Sequence, residues 1–270
     1  MQRESLGGAY RILTFRHPEV ARAARPGQFV MIKAGRSAEP PLRRPFSVMS
    51  TDAEAGTFSL FIKVVGPGTA ALDALPSGGE AECLGPLGRP FPVPAPDRQP
   101  LLVAGGYGVA PFLMLCRRLR GGARPPRLFY GGRTAADLPL AGRFDPELLV
   151  PATEDGSLGE RGRVTAPLER HLDREPSGEL FACGPEPMLH AVARIGARLG
   201  LPTWVSLDPW MGCGFGTCLG CVVRTQTAQE PAPKHRCACT EGPVFDASCV
   251  VWPGEERSLA AERAREPVRQ

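Results

Sequence analysis

From residue 1 to about 95, apolar residues come in short runs broken by glycine and proline, as in QFVMIKAG, RPFSVMS, TFSLFIKVVG and AECLGPLG. Phe58, Leu60 and Ile62 alternate, with β-branched residues nearby, which is the period of an antiparallel strand. Several such strands at short spacing predict a small barrel. The proline-rich stretch RPFPVPAPDRQP reads as a linker. Beyond it the period changes. LLVA (101–104) is a short buried strand, followed by a glycine-rich turn and the apolar helix PFLMLCRRLR. Then come PRLFYGG (strand), a loop, VTAPLERHL (helix), ELFACG (strand) and PMLHAVARIGARLG (helix). Strands alternating with helices predict a parallel α/β sheet. From about residue 206 cysteine and glycine dominate, and from Pro253 the chain is a charged tail, frayed or loosely helical. The expected organisation is a β-barrel over 1–97, an α/β domain over 98–205, a cysteine-rich domain over 206–255 and a tail over 256–270.

The bulk numbers agree with this division. At 270 residues the chain is long for a single core. It is 43% hydrophobic and 22% charged, ordinary for a soluble globular protein. A formal charge of +4, with no basic run interleaved with aromatics, argues against nucleic acid as a partner. The N-terminal MQRESLGGAYRILTF has no apolar signal-peptide core, and no apolar run reaches the ~18 residues of a membrane span. The expectation is a cytoplasmic protein. Nine cysteines, odd in number and clustered, then point to metal ligation rather than to disulfides.

Four motifs carry chemistry. On a barrel strand, Arg44, Pro45, Phe46 and Ser47 combine a cation, a ring and a hydroxyl that suit a flavin and its pyrophosphate. The bland reading is an edge strand with solvated arginines. In VAGGYGVAPFL a strand runs into Gly105, Gly106 and Gly108, and Pro111 opens a helix. Glycines let a phosphate approach backbone, and a helix N-terminus supplies free N–H groups. A plain tight turn between strand and helix is the alternative. In FACGPEPML a second strand ends at Cys183, Gly184 and Pro185, again where ligands of open α/β sheets bind. Cys183 either lines a nicotinamide site or is a small buried hydrophobe. Last, Cys213-x4-Cys218-x2-Cys221 matches plant-type [2Fe–2S] spacing. Cys237, Cys239 and Cys249 are available as the fourth ligand, and structural zinc is the competing use. The four histidines, His17, His171, His190 and His235, stand in no recognisable catalytic setting. No catalytic acid or base is expected, so the chain reads as a carrier of electrons.

In order, the chain carries PGQF (26–29), RPFS (44–47), GPGT (66–69), GPLG (85–88), GGYGVAP (105–111), EDGSLGERG (154–162), CGPEPM (183–188), the cysteine loop and CTEGPVF (239–245). This series resembles the electron-transfer subunits of dihydroorotate dehydrogenase B, within the ferredoxin–NADP reductase superfamily, over nearly the whole chain except the tail. The resemblance implies an FAD-binding barrel, a parallel-sheet NAD-binding domain and a small C-terminal [2Fe–2S] domain. It implies that Arg44, Pro45, Phe46 and Ser47 hold the flavin and its phosphates. Phe61, Ile62 and Lys63 would lie along the flavin, and Gly68 and Thr69 would cradle the pyrophosphate. It makes Cys239 the fourth cluster ligand, with Cys237 a departure that leaves a competitor two residues away. It also implies a partner, an FMN-containing catalytic subunit that oxidises dihydroorotate in de novo pyrimidine synthesis, in a heterotetramer of two of each chain. Electrons would run from that FMN through the cluster and FAD to NAD⁺. Similar subunits serve sulfide dehydrogenase, NADH-dependent ferredoxin:NADP reductase and hydrogenase complexes, which stand as the alternative. Arg133 in YGGR lies where an arginine can meet a 2′-phosphate, but the family implies NAD.

Overall fold

The computed structural model describes residues 1–35, 41–230 and 232–254. The expected tail over 256–270 lies outside the described residues. Strands β1 (Gln2–Ser5), β2 (Tyr10–Arg16), β3 (Phe29–Ala34), β4 (Arg44–Asp52), β5 (Thr57–Lys63) and β6 (Ala81–Leu87) form an antiparallel sheet in the order β1-β2-β5-β4-β3-β6. Its inner face carries Leu13, Val30, Ile32, Val48, Phe58, Leu60 and Ile62, all buried. The short helices α1 (Pro18–Ala23) and α2 (Pro67–Asp73) bring Val20 and Leu72 to the same core.

The α/β half consists of β7 (Pro100–Gly105), α3 (Ala110–Leu119), β8 (Arg127–Gly132), β9 (Leu149–Thr153), β10 (Glu160–Arg161), α4 (Thr165–Arg174), β11 (Glu179–Cys183), α5 (Glu186–Leu199) and β12 (Thr203–Ser206). Every residue of β7 and β11 is buried, as expected of central parallel strands covered on both faces. Strand β9 falls in the stretch expected to be a loop. Its sequence, LVPAT, is short and carries a proline, which the sequence pattern counts against a strand. The cysteine-rich segment adds the hairpin β13 (Val222–Thr225) and β14 (Lys234–Cys237), the single turn α6 (Ala238–Glu241) and β15 (Val244–Asp246). The large sheet runs β10-β9-β8-β7-β11-β12-β15. It is parallel except for β15, which pairs antiparallel with β12 through Val205 opposite Phe245.

One apolar core crosses all three parts. Phe29 and Met31 of the barrel, Val103, Ala182 and Val205 of the sheet, and Cys221 and Cys239 belong to it. The proline-rich connection is anchored too. Glu179 is 6% exposed and accepts from the Ala95 N–H at 2.9 Å and from the Trp204 indole N–H at 2.8 Å. Glu179→Ala strands two donors and is expected to cost about 3 kcal/mol. A lowered denaturation midpoint by calorimetry is the check, and an unchanged midpoint counts against this anchor.

Candidate functional site

Arg44–Ser47 sit on β4, and Phe61–Lys63 sit on β5. These strands are paired only over Val48–Asp52 and Thr57–Leu60, with a register shift between Val48 and Ser50. Beyond that point they part. Ser47, Pro45 and Arg44 pair on their other side with Phe29, Met31 and Ile32 of β3. Phe61, Ile62 and Lys63 pair with Ile12, Arg11 and Tyr10 of β2. Two open strand edges therefore face a common gap, and an open edge presents backbone N–H and C=O groups. A flat heterocycle with donors and acceptors around its rim fits such a gap. The side chains of Phe61 and Ile62 are buried in the protein, 4% and 1% exposed, so these residues offer the gap backbone.

Among the described residues the Arg44 guanidinium meets only the carbonyls of Leu42 and Arg43, at 3.3 and 3.4 Å. Neighbouring Arg43 is instead paired with Glu82. Among the described residues no carboxylate is paired with Arg44. The Thr69 hydroxyl accepts from the N–H groups of Val65 and Gly66 and donates to the Gly66 carbonyl. That fills its valence, so Thr69 fixes the turn with its side chain and has only backbone left for a pyrophosphate.

The glycines of the second and third motifs meet each other. β7 and β11 are adjacent, with Ala104 opposite Cys183, and chain order reverses between them, since β8 lies on one side of β7 and β11 on the other. This is the switch point where open α/β sheets bind ligands. A Cβ on Gly108 would stand 2.3 Å from the Cys183 carbonyl oxygen, and one on Gly105 would stand 2.7 Å from Pro185 Cδ. Gly106 alone of the three faces open space, at φ +53. Close packing of two loops, beyond any need of a phosphate, requires Gly105 and Gly108. Cys183 is 9% exposed, and its burial pushes the thiol up to about 12. Its place is the end of β11, beside the crevice, where burial disfavours the thiolate.

Tyr107, 55% exposed, lies between these glycines. Burial of its hydroxyl raises its pKa, as do Asp208 and Cys183, while Lys63 lowers it. Asp208 keeps an exposed surface, yet the protein packed around its carboxyl raises its pKa by desolvation. The turn Gly106–Val109, which carries Tyr107, is in contact with β5, so the two openings adjoin. No functional motif singles out Tyr107, Asp208, Tyr10 or Asp137. A tyrosine amid glycines in GGYG is the only local signal among them.

The cysteine loop is pressed against the barrel. Gly214 (φ +86) packs so that a Cβ would stand 2.4 Å from Met31 Cγ. Cys213 Sγ accepts N–H groups from Phe215 and Cys218, each at 3.5 Å. Desolvation raises the Cys213 pKa, but these amides outweigh it and bring the thiol down to about 6. Cys221 and Cys239 are 2% and 1% exposed and lie in one apolar core. Burial and Cys221 push Cys239 up to about 12, against a Gly216 N–H that lowers it. Cys237 is half-buried and opposite Val222 in the hairpin, and the next residue's N–H, that of Ala238, donates to the Cys221 carbonyl at 3.0 Å. Cys249 sits after β15, beside the Ser248 hydroxyl at 3.9 Å. Among the described residues no three Cys, His, Asp or Glu side chains gather as around a single metal ion. A two-iron cluster with four thiolates takes two per iron, and Cys213, Cys218, Cys221, Cys237 and Cys239 offer thiols from one loop, from the end of β14 and from the turn after it. The donor set fits that group.

Among the described residues, no helix is long and apolar enough to cross a membrane. Family models match the chain in three segments: an oxidoreductase FAD-binding domain over residues 1–91, an oxidoreductase NAD-binding domain over 102–194, and the iron-sulfur cluster binding domain of dihydroorotate dehydrogenase B over 208–251. The chain is 36% identical over 243 residues to the dihydroorotate dehydrogenase B (NAD(+)) electron transfer subunit of Desulforamulus reducens, covering 89% of this chain and 92% of the relative. It is 39% identical over 238 residues to the subunit of the same name from Geobacillus kaustophilus, covering 86% and 89%. Among solved structures, that of an NADH-dependent reduced ferredoxin-NADP oxidoreductase is similar at TM-score 0.80 and 30% identity, over 97% of this chain and 92% of that one. A ferredoxin reductase of carbazole 1,9a-dioxygenase is similar at TM-score 0.63 and 26% identity, over 74% and 64%. The chain belongs to the family of dihydroorotate dehydrogenase B electron-transfer subunits, built as a flavin barrel, a nicotinamide-nucleotide sheet and a cysteine-bound iron–sulfur loop.

Proposed function

We propose that this chain carries electrons between an FMN-containing dihydroorotate dehydrogenase subunit and NAD⁺, in an assembly of two of each. The observation that carries the reading is the adjacency of three openings: the gap between β4 and β5, the crevice between β7 and β11, and the cysteine loop pressed on β3 by Gly214. When bound, FAD exchanges a hydride with a nicotinamide and single electrons with an iron–sulfur cluster. The residues supply the surroundings. Arg44 and the first turn of α2 receive the pyrophosphate, and the open edges of Arg44–Ser47 and Phe61–Lys63 hold the ring system. Gly105, Gly106, Gly108, Cys183 and Gly184 receive the dinucleotide. Cys213, Cys218, Cys221 and Cys239 hold the iron. On this reading the chain forms units over 1–97, 98–205 and 206–255 and works in the cytoplasm.

The partner's docking face is the surface of the cysteine loop. Trp210 is 93% exposed, Leu219 62% and Phe215 55%. Large apolar side chains gathered in one short segment mark an interaction surface. A second reading, in which the partner is that of an NADH-dependent reduced ferredoxin-NADP oxidoreductase, rests on the similarity at TM-score 0.80.

Anaerobic purification of the tagged chain from its host separates the two. The expected result is co-elution with an FMN-containing dihydroorotate dehydrogenase, and NADH formation that depends on dihydroorotate. Co-elution with a glutamate-synthase-like flavoprotein or a hydrogenase subunit would overturn the pathway while keeping the cofactors. A colourless protein containing zinc would overturn both.

A further inference from the structure

Asp137 lies in the α/β half, in the turn that follows β8. Its carboxylate is divided between two parts of the protein. Oδ2 accepts from the N–H and hydroxyl of Thr134, at 3.3 and 3.5 Å, within its own turn. Oδ1 points to the barrel, where it accepts from the Tyr10 hydroxyl at 3.1 Å and stands 3.8 Å from Lys63 Nζ. The Tyr130 hydroxyl, on β8, donates to the Asp137 carbonyl at 3.4 Å and holds the turn on the sheet.

The barrel side of this contact is stiff. Lys63 Nζ lies 4.9 Å from the centroid of the Tyr10 ring, and that ring stacks on Phe61 at 5.5 Å. Tyr10 is 6% exposed, and the side chains of Asp137 and Lys63 are 21% and 32% exposed. Partial burial makes such a pair stronger than a solvated surface bridge. Desolvation raises the Asp137 pKa, but Tyr10, Thr134 and Lys63 together hold it below the usual carboxylate range. The group is therefore an anion at neutral pH.

Phe61 and Lys63 both belong to the open edge of β5 that faces the gap. Whatever fixes them against the α/β sheet also fixes the angle between the gap and the crevice. We propose that Asp137 is a positioning residue, whose carboxylate clasps Tyr10 and Lys63 of the barrel to the α/β sheet and so sets the approach of bound nicotinamide to the flavin gap. The proposal rests on the FAD and NAD assignments of the functional reading. Hydride transfer is steep in distance and alignment, so a small loosening has a large effect on rate.

The test uses the full-length chain loaded with FAD, in wild-type, Tyr10→Phe, Asp137→Ala and doubly substituted forms. Reduction of bound FAD by NADH is followed anaerobically by stopped flow, and amide hydrogen exchange is measured on the same samples. Asp137→Ala is expected to slow the limiting rate at saturating NADH by about ten-fold. The NADH half-saturation should move by less than about two-fold, which places the loss in alignment rather than in binding. Tyr10→Phe, which keeps the ring stack, should slow the rate less. The double variant should be no slower than Asp137→Ala, because both changes break one contact. Exchange should quicken at residues 133–138 and at the β2–β5 pairing around Tyr10 and Lys63. Wild-type limiting rates in both single variants, or fully additive losses, would overturn the clasp. A wild-type chain whose FAD is not reduced by NADH would overturn the functional reading itself, a failure distinct from that of the variants.

Discussion

Replacing Cys239 with serine is expected to empty the chain of iron while leaving its flavin in place, and replacing Cys237 is expected to do neither. The two thiols are two residues apart and flank Ala238, whose N–H donates to the Cys221 carbonyl at 3.0 Å. Their surroundings differ. Cys239 is 1% exposed and lies in the apolar core with Cys221, Phe29 and Met31. An iron–sulfur loop needs donors aimed at sulfur and a dry wall behind it. Cys237 has a half-exposed position at the end of β14 and caps the turn that presents Cys239. The Phe215 and Cys218 N–H groups at Cys213 Sγ lower its thiol pKa and favour the thiolate that binds metal. Iron content in Cys239→Ser should fall by at least about ten-fold, with loss of the cluster's electron paramagnetic resonance signal on reduction. FAD content should hold, since the β4–β5 gap shares no residue with the cysteine set. Iron lost from Cys237→Ser and kept in Cys239→Ser would reverse the assignment.

That choice between neighbours marks the boundary of what the sequence carries. The spacing of Cys213, Cys218 and Cys221 is local, set by one loop, and reads directly as a cluster motif. The strand runs ending at Gly105 and Cys183 are local as well. What escapes is made by distant pairings. The parting of β4 from β5 depends on a register shift at Val48, which no residue pattern in RPFSVMS announces. The addition of β15 to β12 joins segments separated by the whole cysteine loop. Strand β9 is hidden by Pro151, which sits in a short strand near the sheet's edge. Asp137 and Tyr10 are 127 residues apart, and neither belongs to a recognisable motif. The sequence thus names the chemistry of each opening, and only the tertiary structure says that the openings adjoin.

The glycines of the nucleotide crevice give the second large effect. Gly108→Ala is expected to abolish most NADH-dependent reduction of FAD while sparing iron content. The added methyl would meet the Cys183 carbonyl oxygen at 2.3 Å, the Cys183 carbonyl carbon at 2.6 Å and the Gly184 Cα at 2.7 Å. All three are backbone atoms, and none can rotate away as a side chain would. Relief requires the turn after β7 to move from the end of β11, which opens the switch point itself. Overpacking of this kind costs about 3 kcal/mol or more, and the displaced turn carries Gly106 and Tyr107 with it. A shift near 1 Å at the hydride-transfer site is worth about a hundred-fold in rate, so the limiting rate should fall on that order. Gly106→Ala is the control. Its methyl would meet nothing within 4 Å, and its φ of +53 adds only the left-handed strain of an L residue, about 1–2 kcal/mol. Gly106→Ala should therefore lose stability by that amount, without the collapse of the β7–β11 contact that Gly108→Ala produces. Stopped-flow reduction and thermal denaturation of the two variants, side by side, measure the difference. Wild-type reduction by Gly108→Ala would mean that the nicotinamide binds away from the junction of β7 and β11.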